Sequence, residues 1–139
     1  MRGRDLLPVA GRAARQQTEA DWRTAANRAY YALMLEVRDG FAQLGLTPPP
    51  LTAVHLTTRK RLFATGDPGV NQIGLWFDDL QRLRRAADYD TGSLPAFATN
   101  AAALSAEQRS LDAIRLLDAV IADAARRAAV IAEIQKVFP

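Results

Sequence analysis

The densest polar chemistry in the sequence lies between residues 81 and 90, where three arginines, two aspartates and a tyrosine occur within ten positions. Residues four apart on a helix share a face, so this spacing predicts a contact between Arg84 and Asp88. By the same spacing, Arg85 is expected to face Tyr89. Guanidinium groups bind phosphates and carboxylates through paired hydrogen bonds. The stretch therefore indicates either an anion-binding site or a solvated helix end, whose exposed ion pairs contribute at most about 1 kcal/mol each.

A second stretch of interest, residues 23–32, lies within the longest helical pattern of the first half. Asn27 and Arg28 are polar on a helix that we expect to be covered on two faces. They either support the arginine-rich stretch or form hydrogen bonds within the bundle. Tyr30 and Tyr31 could stack on nucleic-acid bases, although packing in the core or in a dimer interface is the favoured interpretation.

The composition excludes several classes of site. The chain has no cysteine, which excludes disulfides, thiolate metal sites and a cysteine nucleophile. His55 is the single histidine, so a histidine-cluster metal site is excluded as well. Lys60 and Lys136 are the only lysines, so the other 16 of the 18 basic residues are arginine. The formal charge of +3 permits a nucleic-acid partner without requiring one.

Apolar residues at helical spacing, with capping residues and prolines between them, predict about five helices that position these stretches. Asp5 is expected to cap a short first helix with Pro8 in its first turn. Thr18 and Asp21, three residues apart, resemble a capping box and open a long central helix that ends near Gly45.

The third and fourth helices are expected on either side of Gly66. Thr52 follows three prolines and is predicted to cap the third helix. Asp67 and Pro68 form a helix start, and the fourth helix then runs into the arginine-rich stretch. The inward positions expected on the third helix are Val54, Leu56, Leu62 and Phe63.

Residues 90–103 are expected to form a surface connection, because glycine, proline and small polar residues break the helical pattern there. Ser105 with Gln108 resembles another capping box and predicts a last helix that continues toward the C-terminus. No segment alternates as a strand does. The fold class predicted for residues 1–139 is therefore a single all-α domain, an up-and-down bundle of about five helices.

No apolar run approaches the roughly 20 residues of a membrane span, and the arginine-containing start lacks the apolar core of a signal peptide. We therefore expect a cytoplasmic protein that does not cross a membrane.

Two motifs in order resemble one known family. Residues 27–32 read NRAYYA, and residues 84–90 read RRAADYD, which fits an R-x-x-ADYD pattern. This ordered pair is similar to a subgroup of the HEPN family, small helical domains of prokaryotic toxin–antitoxin and defence systems. The sequence around His55 and the phenylalanine at position 63 also look like that family. The resemblance covers most of the chain.

The resemblance implies an HEPN-like fold, a homodimer whose arginine motifs face a shared cleft, and a small nucleotidyltransferase as a common partner protein. A homodimer is also suggested by the apolar side chains at 30–35, which exceed what one small bundle is expected to bury. In active family members the motif supports metal-independent RNA cleavage, with an arginine followed after a short gap by a histidine. Arg84 matches that arginine, whereas Tyr89 stands five residues later and no histidine lies nearby in sequence.

These observations define the candidate site. If the site is active, the catalytic candidates are Arg84, Asp88 and Tyr89, and the RNA-binding candidates are Arg84, Arg85, Asn27 and Arg28. No metal and no cofactor are expected. A phenol with a pKa near 10 is ionised to only about one part in a thousand at pH 7, so it is a weak general base.

The favoured function is therefore binding of RNA or of a nucleotidyltransferase partner by an HEPN-type subunit. A ribonuclease toxin that uses Arg84 and Tyr89 is the alternative. His55 is expected to have a structural or capping role.

Overall fold

The computed structural model describes residues 1–138, and all regular secondary structure within this range is helical. The predicted all-α bundle is confirmed, with six α-helices in place of about five. They are α1 Leu7–Ala14, α2 Glu19–Gln43, α3 Val54–Phe63, α4 Pro68–Tyr89, α5 Ala101–Ala122 and α6 Ala124–Val137. Short 3-10 turns precede α1, α3 and α5, at Gly3–Leu6, Leu51–Ala53 and Pro95–Phe97. Within the described residues no helix has both the length and the apolar composition that crossing a membrane requires.

Helix α2 is the central helix and packs against α1, α4 and α5. Its start is confirmed, because the Thr18 hydroxyl accepts a hydrogen bond of 3.2 Å from the backbone N–H of Asp21. Leu33 and Val37 on α2 have no exposed surface, and Phe77 on α4 is equally buried. Burial of such side chains contributes roughly 1.5 to 3 kcal/mol each and fixes α2 against α4.

The predicted start of α4 is also confirmed. Asp67 Oδ1 accepts hydrogen bonds from the backbone N–H groups of Gly69 and Val70, at 2.9 and 3.1 Å. Pro68 occupies the first helical position, where its missing N–H costs no hydrogen bond. The carboxylate of Asp67 is further held by Arg126 of α6, with contacts of 2.9 and 3.0 Å. One aspartate therefore both caps α4 and docks the last helix.

The prediction of one continuous last helix was wrong. The backbone at Asp123 is extended, and its carboxylate caps α6 through the N–H groups of Ala125 and Arg126, both at 3.1 Å. The proposed capping box at Ser105 lies inside α5, which begins four residues earlier. The apolar pattern continues across the break because Val120 and Val130 both reach the core.

Two other residues that were predicted to cap helices lie in 3-10 turns instead. Asp5 closes a 3-10 turn by accepting a hydrogen bond of 2.7 Å from the backbone N–H of Arg2, ahead of α1. Thr52 lies inside a 3-10 turn, and α3 begins at Val54 without a side-chain cap. The connection between α4 and α5 is not entirely on the surface, because Phe97 is 2% exposed.

The N-terminal segment is held directly against the backbone of α2. A Cβ atom at Gly3 would lie 2.5 Å from the carbonyl oxygen of Ala32, so only glycine allows this approach. The next residue, Arg4, donates to the buried carboxylate of Glu36, with its closest contact at 2.7 Å, and also to Asp118 on α5. These contacts cover one side of residues 30–35.

The apolar surplus expected at residues 30–35 is therefore absent. Tyr30 and Met34 are 3% and 4% exposed, and both belong to the main core of this single chain. The sequence-based argument for a dimer through that face was wrong, because it did not include the cover provided by the N-terminal segment and α3. The expectation that Leu56 points inward was wrong as well, since this residue is 53% exposed.

Candidate functional site

The predicted pair of Arg84 and Asp88 forms at the C-terminal end of α4. Arg84 Nε lies 3.0 Å from Asp88 Oδ2, although its N–H does not point at that oxygen, so the contact is an ion pair without an aligned hydrogen bond. Asn27 of α2 donates to both carboxylate oxygens of Asp88, at 3.2 and 3.1 Å. The structure thus brings together three of the predicted site residues from two helices.

Three aromatic rings surround the guanidinium of Arg84. Its central carbon lies 5.5, 5.4 and 5.8 Å from the ring centroids of Tyr30, Tyr31 and Tyr89. Cation–π attraction at these distances favours the charged form. Nη2 also donates a hydrogen bond of 2.9 Å to the hydroxyl of Tyr31.

The charge of Arg84 is retained despite limited solvent access. The Arg84 side chain is 17% exposed. Burial disfavours the charged guanidinium, but Tyr31, Asp88 and Tyr89 more than offset that effect and raise the pKa of Arg84. Nη1 makes no hydrogen bond within residues 1–138. Arg84 is therefore a positioned cation with one nitrogen left for a ligand.

Arg85 and Arg28 differ from Arg84. Both side chains are exposed, and neither forms an ion pair in the described part of the chain. Within residues 1–138, Tyr89 makes its cation–π contact with Arg84, and no hydrogen bond or cation–π contact joins it to Arg85 as expected. Tyr89 is the last residue of α4 and is 73% exposed. Its ring lies beside the guanidinium of Arg84, which is less exposed than that of Arg85. Arg85 and Arg28 are thus exposed surface charges near a fixed one.

Sequence analysis missed the role of Arg23. Its Nη1 donates to the carbonyl oxygens of Ala86 and Ala87, both at 3.1 Å, and its guanidinium lies 4.7 Å from the ring centroid of Phe97. Carbonyl groups at the end of a helix lack partners within the helix, and an arginine is well suited to them. Arg23 therefore holds the end of α4 on α2, where Arg84 and Asp88 lie. No local pattern distinguishes it from other arginines.

His55 is the second residue that sequence reasoning placed outside the site. Its side chain and that of Arg84 line the same open cleft of about 380 Å³. Nδ1 lies 3.2 Å from the hydroxyl of Tyr30, and the imidazole stacks on Phe77 with ring centroids 4.9 Å apart. Two features of the sequence could have indicated a role for His55: it is the single histidine, and the residues around it resemble those of the HEPN family.

The surroundings of His55 and Tyr30 determine the protonation states of these two side chains. Burial lowers the pKa of His55 below its ordinary value of 6.5, and the charges of Arg59, Arg84 and Arg85 act in the same direction while Asp78 opposes them. Burial also raises the pKa of Tyr30 to about 12. At pH 7 the imidazole and the phenol are therefore both neutral.

Two other clefts differ in their relation to the site. One of about 470 Å³ runs between α2 and α4 and is lined by Arg23, Asn27, Arg28 and Asp88 among others. The other, of about 560 Å³, lies between α4 and α5 and contains none of the predicted site residues. Within residues 1–138 no three histidine, aspartate or glutamate side chains come together as metal ligands would.

Comparison of the chain with models of protein families, with curated proteins and with solved structures finds no match. The resemblance to the HEPN family therefore depends on the two motifs and their order.

The lowered pKa of His55 predicts a pH-dependent stability. The unfolded chain binds a proton near pH 6.5, whereas the folded chain binds it only at lower pH, so the stability contribution is complete above pH 6.5 and is lost as the pH falls toward the folded pKa. Urea unfolding of the wild type should give a smaller free energy at pH 5.5 than at pH 7.

The matched variant is His55→Gln, which cannot titrate. Its free energy of unfolding should change less between the two pH values than that of the wild type. An equal change in both proteins would contradict the assigned environment of His55.

Proposed function

We propose that this chain is an HEPN-type subunit of a prokaryotic toxin–antitoxin or defence system that dimerises and binds RNA through the cleft at Arg84. The observation that carries the proposal is the fixed, partly buried charge of Arg84 on the wall of an open cleft. A phosphate group is a suitable ligand, because a guanidinium can form two parallel hydrogen bonds with it. The ordered NRAYYA and R-x-x-ADYD motifs supply the family part of the proposal.

The surroundings of Arg84 fit a nucleic-acid ligand. Arg85 and Arg28 add exposed positive charge that the described part of the chain does not neutralise, and such charge strengthens binding to a polyanion. The Oε1 atom of Gln81 is buried on the wall of the same cleft and has no hydrogen-bond partner within residues 1–138. A ribose hydroxyl or a base amino group could donate to it.

A protein partner, such as the nucleotidyltransferase that the resemblance implies, is the second candidate. It is favoured by exposed apolar side chains beside the cleft. Leu51 and Leu56 line the cleft and are 79% and 53% exposed, and Tyr89 is 73% exposed. Leucine and tyrosine side chains in such positions are typical of protein interfaces. The same surface suits a second copy of this chain, with the two clefts adjacent.

The RNA-binding proposal predicts selective effects of arginine substitutions. Arg84→Ala should weaken binding of a short single-stranded RNA by about 1 to 3 kcal/mol, the scale of a lost charge-assisted hydrogen bond. Arg85→Ala should weaken it less and should reduce the dependence of affinity on salt concentration, because Arg85 is an exposed phosphate contact. Fluorescence anisotropy at several salt concentrations measures both effects.

Arg115→Ala is the matched control. Arg115 is 67% exposed on α5, lies outside the clefts at the site, and has Asp112 at 3.8 Å as its ion-pair contact. Its loss should leave affinity nearly unchanged. If Arg84→Ala and Arg115→Ala weaken binding equally, the affinity reflects net charge and the site proposal fails.

The dimer proposal is tested by two equally exposed leucines. Leu56 and Leu75 are both 53% exposed, but only Leu56 lines the cleft. Light scattering at micromolar concentration should give a dimer for the wild type and for Leu75→Glu, and a monomer for Leu56→Glu, because a buried unpaired carboxylate opposes association. A monomeric wild type would exclude the shared cleft.

A further inference from the structure

A single residue separates the last two helices. Helix α5 ends at Ala122 and α6 begins at Ala124, and the backbone of Asp123 between them is extended. Alanine, which has the highest helix propensity, flanks this residue on both sides. The carboxylate of Asp123 accepts hydrogen bonds from the N–H groups of Ala125 and Arg126, both at 3.1 Å, and so caps α6. The bend between α5 and α6 therefore depends on one capping side chain in a segment that otherwise favours a continuous helix.

Two polar contacts fix α6 on the residues that begin α4. Arg126 donates to the carboxylate of Asp67 at 2.9 and 3.0 Å. The carboxylate of Glu133 accepts a hydrogen bond of 2.6 Å from the backbone N–H of Gly66. We call Gly66 and Asp67 the α6 seat. The seat lies 59 and 67 positions from the residues that bind it, so an identical seat on a second chain offers the same contacts.

A continuous helix through residue 123 would turn the apolar side of α6 away from the core of its own chain. Leu117 lies on the buried face of α5. At about 100° per residue, Val130 and Ile134 would stand about 140° and 100° from Leu117 around such a helix. In the structure these two side chains are 1% and 0% exposed and belong to the main core. In a continuous helix they would need the core of another molecule.

We propose that two copies of this chain exchange α6 when they fold together, with residue 123 as the hinge. In the exchanged dimer α5 and α6 form one helix, and α6 of each copy occupies the seat and the core of the other. Every contact of α6 is made as in the single chain, so the two forms differ in free energy through the hinge and the entropy of association. The inference goes beyond the proposed function and uses no residue of the cleft at Arg84.

Charge reversal across the seat distinguishes exchange from other kinds of association. Both chains carry Leu56→Glu, which removes the cleft as a route to a dimer. One chain adds Asp67→Arg and the other adds Arg126→Asp, so each chain alone brings like charges together in its closed form and in its own exchanged dimer. When the two are unfolded together in urea and refolded at high concentration, they should form a dimer that contains one copy of each. Light scattering and mass spectrometry measure its size and composition.

A second ion pair supplies the matched control. Arg15 of α1 and Glu107 of α5 lie 2.9 Å apart, and neither belongs to α6 or its seat. Chains with Arg15→Glu and with Glu107→Arg, both in the Leu56→Glu background, carry the same changes of charge and should refold together as monomers. A dimer from this pair as abundant as the dimer from the seat variants would show that association reflects net charge, and the proposal would fail. It would equally fail if the seat variants refold together only as monomers.

The hinge provides a second test that does not require the charge-reversed chains to fold. Asp123→Ala removes the cap and favours the continuous helix, and each dimer has two hinges, so the association constant after refolding should rise roughly 30-fold over that of the Leu56→Glu parent. Asp123→Asn keeps a capping side chain and should associate as weakly as the parent. Size-exclusion chromatography with light scattering, at several protein concentrations, measures these constants. Equal association constants for Asp123→Ala and Asp123→Asn would overturn the proposal.

Discussion

The guanidinium of Arg84, confined between α2 and α4, sets the geometry of this end of the bundle. A charge with little solvent access must be compensated by nearby groups, and here Asp88, Tyr31 and the surrounding rings provide the compensation. Two contacts, one helical turn apart, join α2 to α4 at this site. Asn27 and Tyr31 lie one turn apart on α2 and meet Asp88 and Arg84, which lie one turn apart on α4. This match fixes the register of the two helices.

Other contacts maintain that register from both ends. Arg23 ties the last carbonyl groups of α4 to α2, and Phe97 fills the space beneath its guanidinium. At the other end of α4, Asp67 caps the helix and binds Arg126 of α6. The packing of Leu33 and Phe77 supplies the apolar part of the same interface. The polar site is thus positioned by a rigid core, as a site that binds a ligand requires.

Local signals in the sequence predicted much of this arrangement. Thr18 and the Asp67–Pro68 pair marked two helix starts because capping chemistry acts over three residues. Helical spacing predicted the contact of Arg84 with Asp88. For Asn27 the sequence left two alternatives open, and its bonds to Asp88 match the one that places it beside this pair. The break at Asp123 was missed because apolar spacing continues across it on the same core.

The contacts that sequence reasoning missed are tertiary. His55 shares a cleft with Arg84 because α3 packs over Tyr30, and no local sequence pattern joins positions 55 and 84. The cover over residues 30–35 also comes from a distant segment, the N-terminal turn at Gly3. Arg23 was not distinguished for the same reason, since the α4 carbonyl groups that it binds lie more than 60 positions away. Short-range periodicity cannot encode such contacts.

The most direct measurement of the central claim is a nitrogen–proton correlation spectrum of the arginine Nε–H groups, recorded while a short single-stranded RNA is added. The account predicts that the Arg84 signal shifts with RNA concentration and that the Arg115 signal stays in place. An unchanged Arg84 signal under conditions where the RNA is bound would contradict the claim that this confined guanidinium meets the ligand.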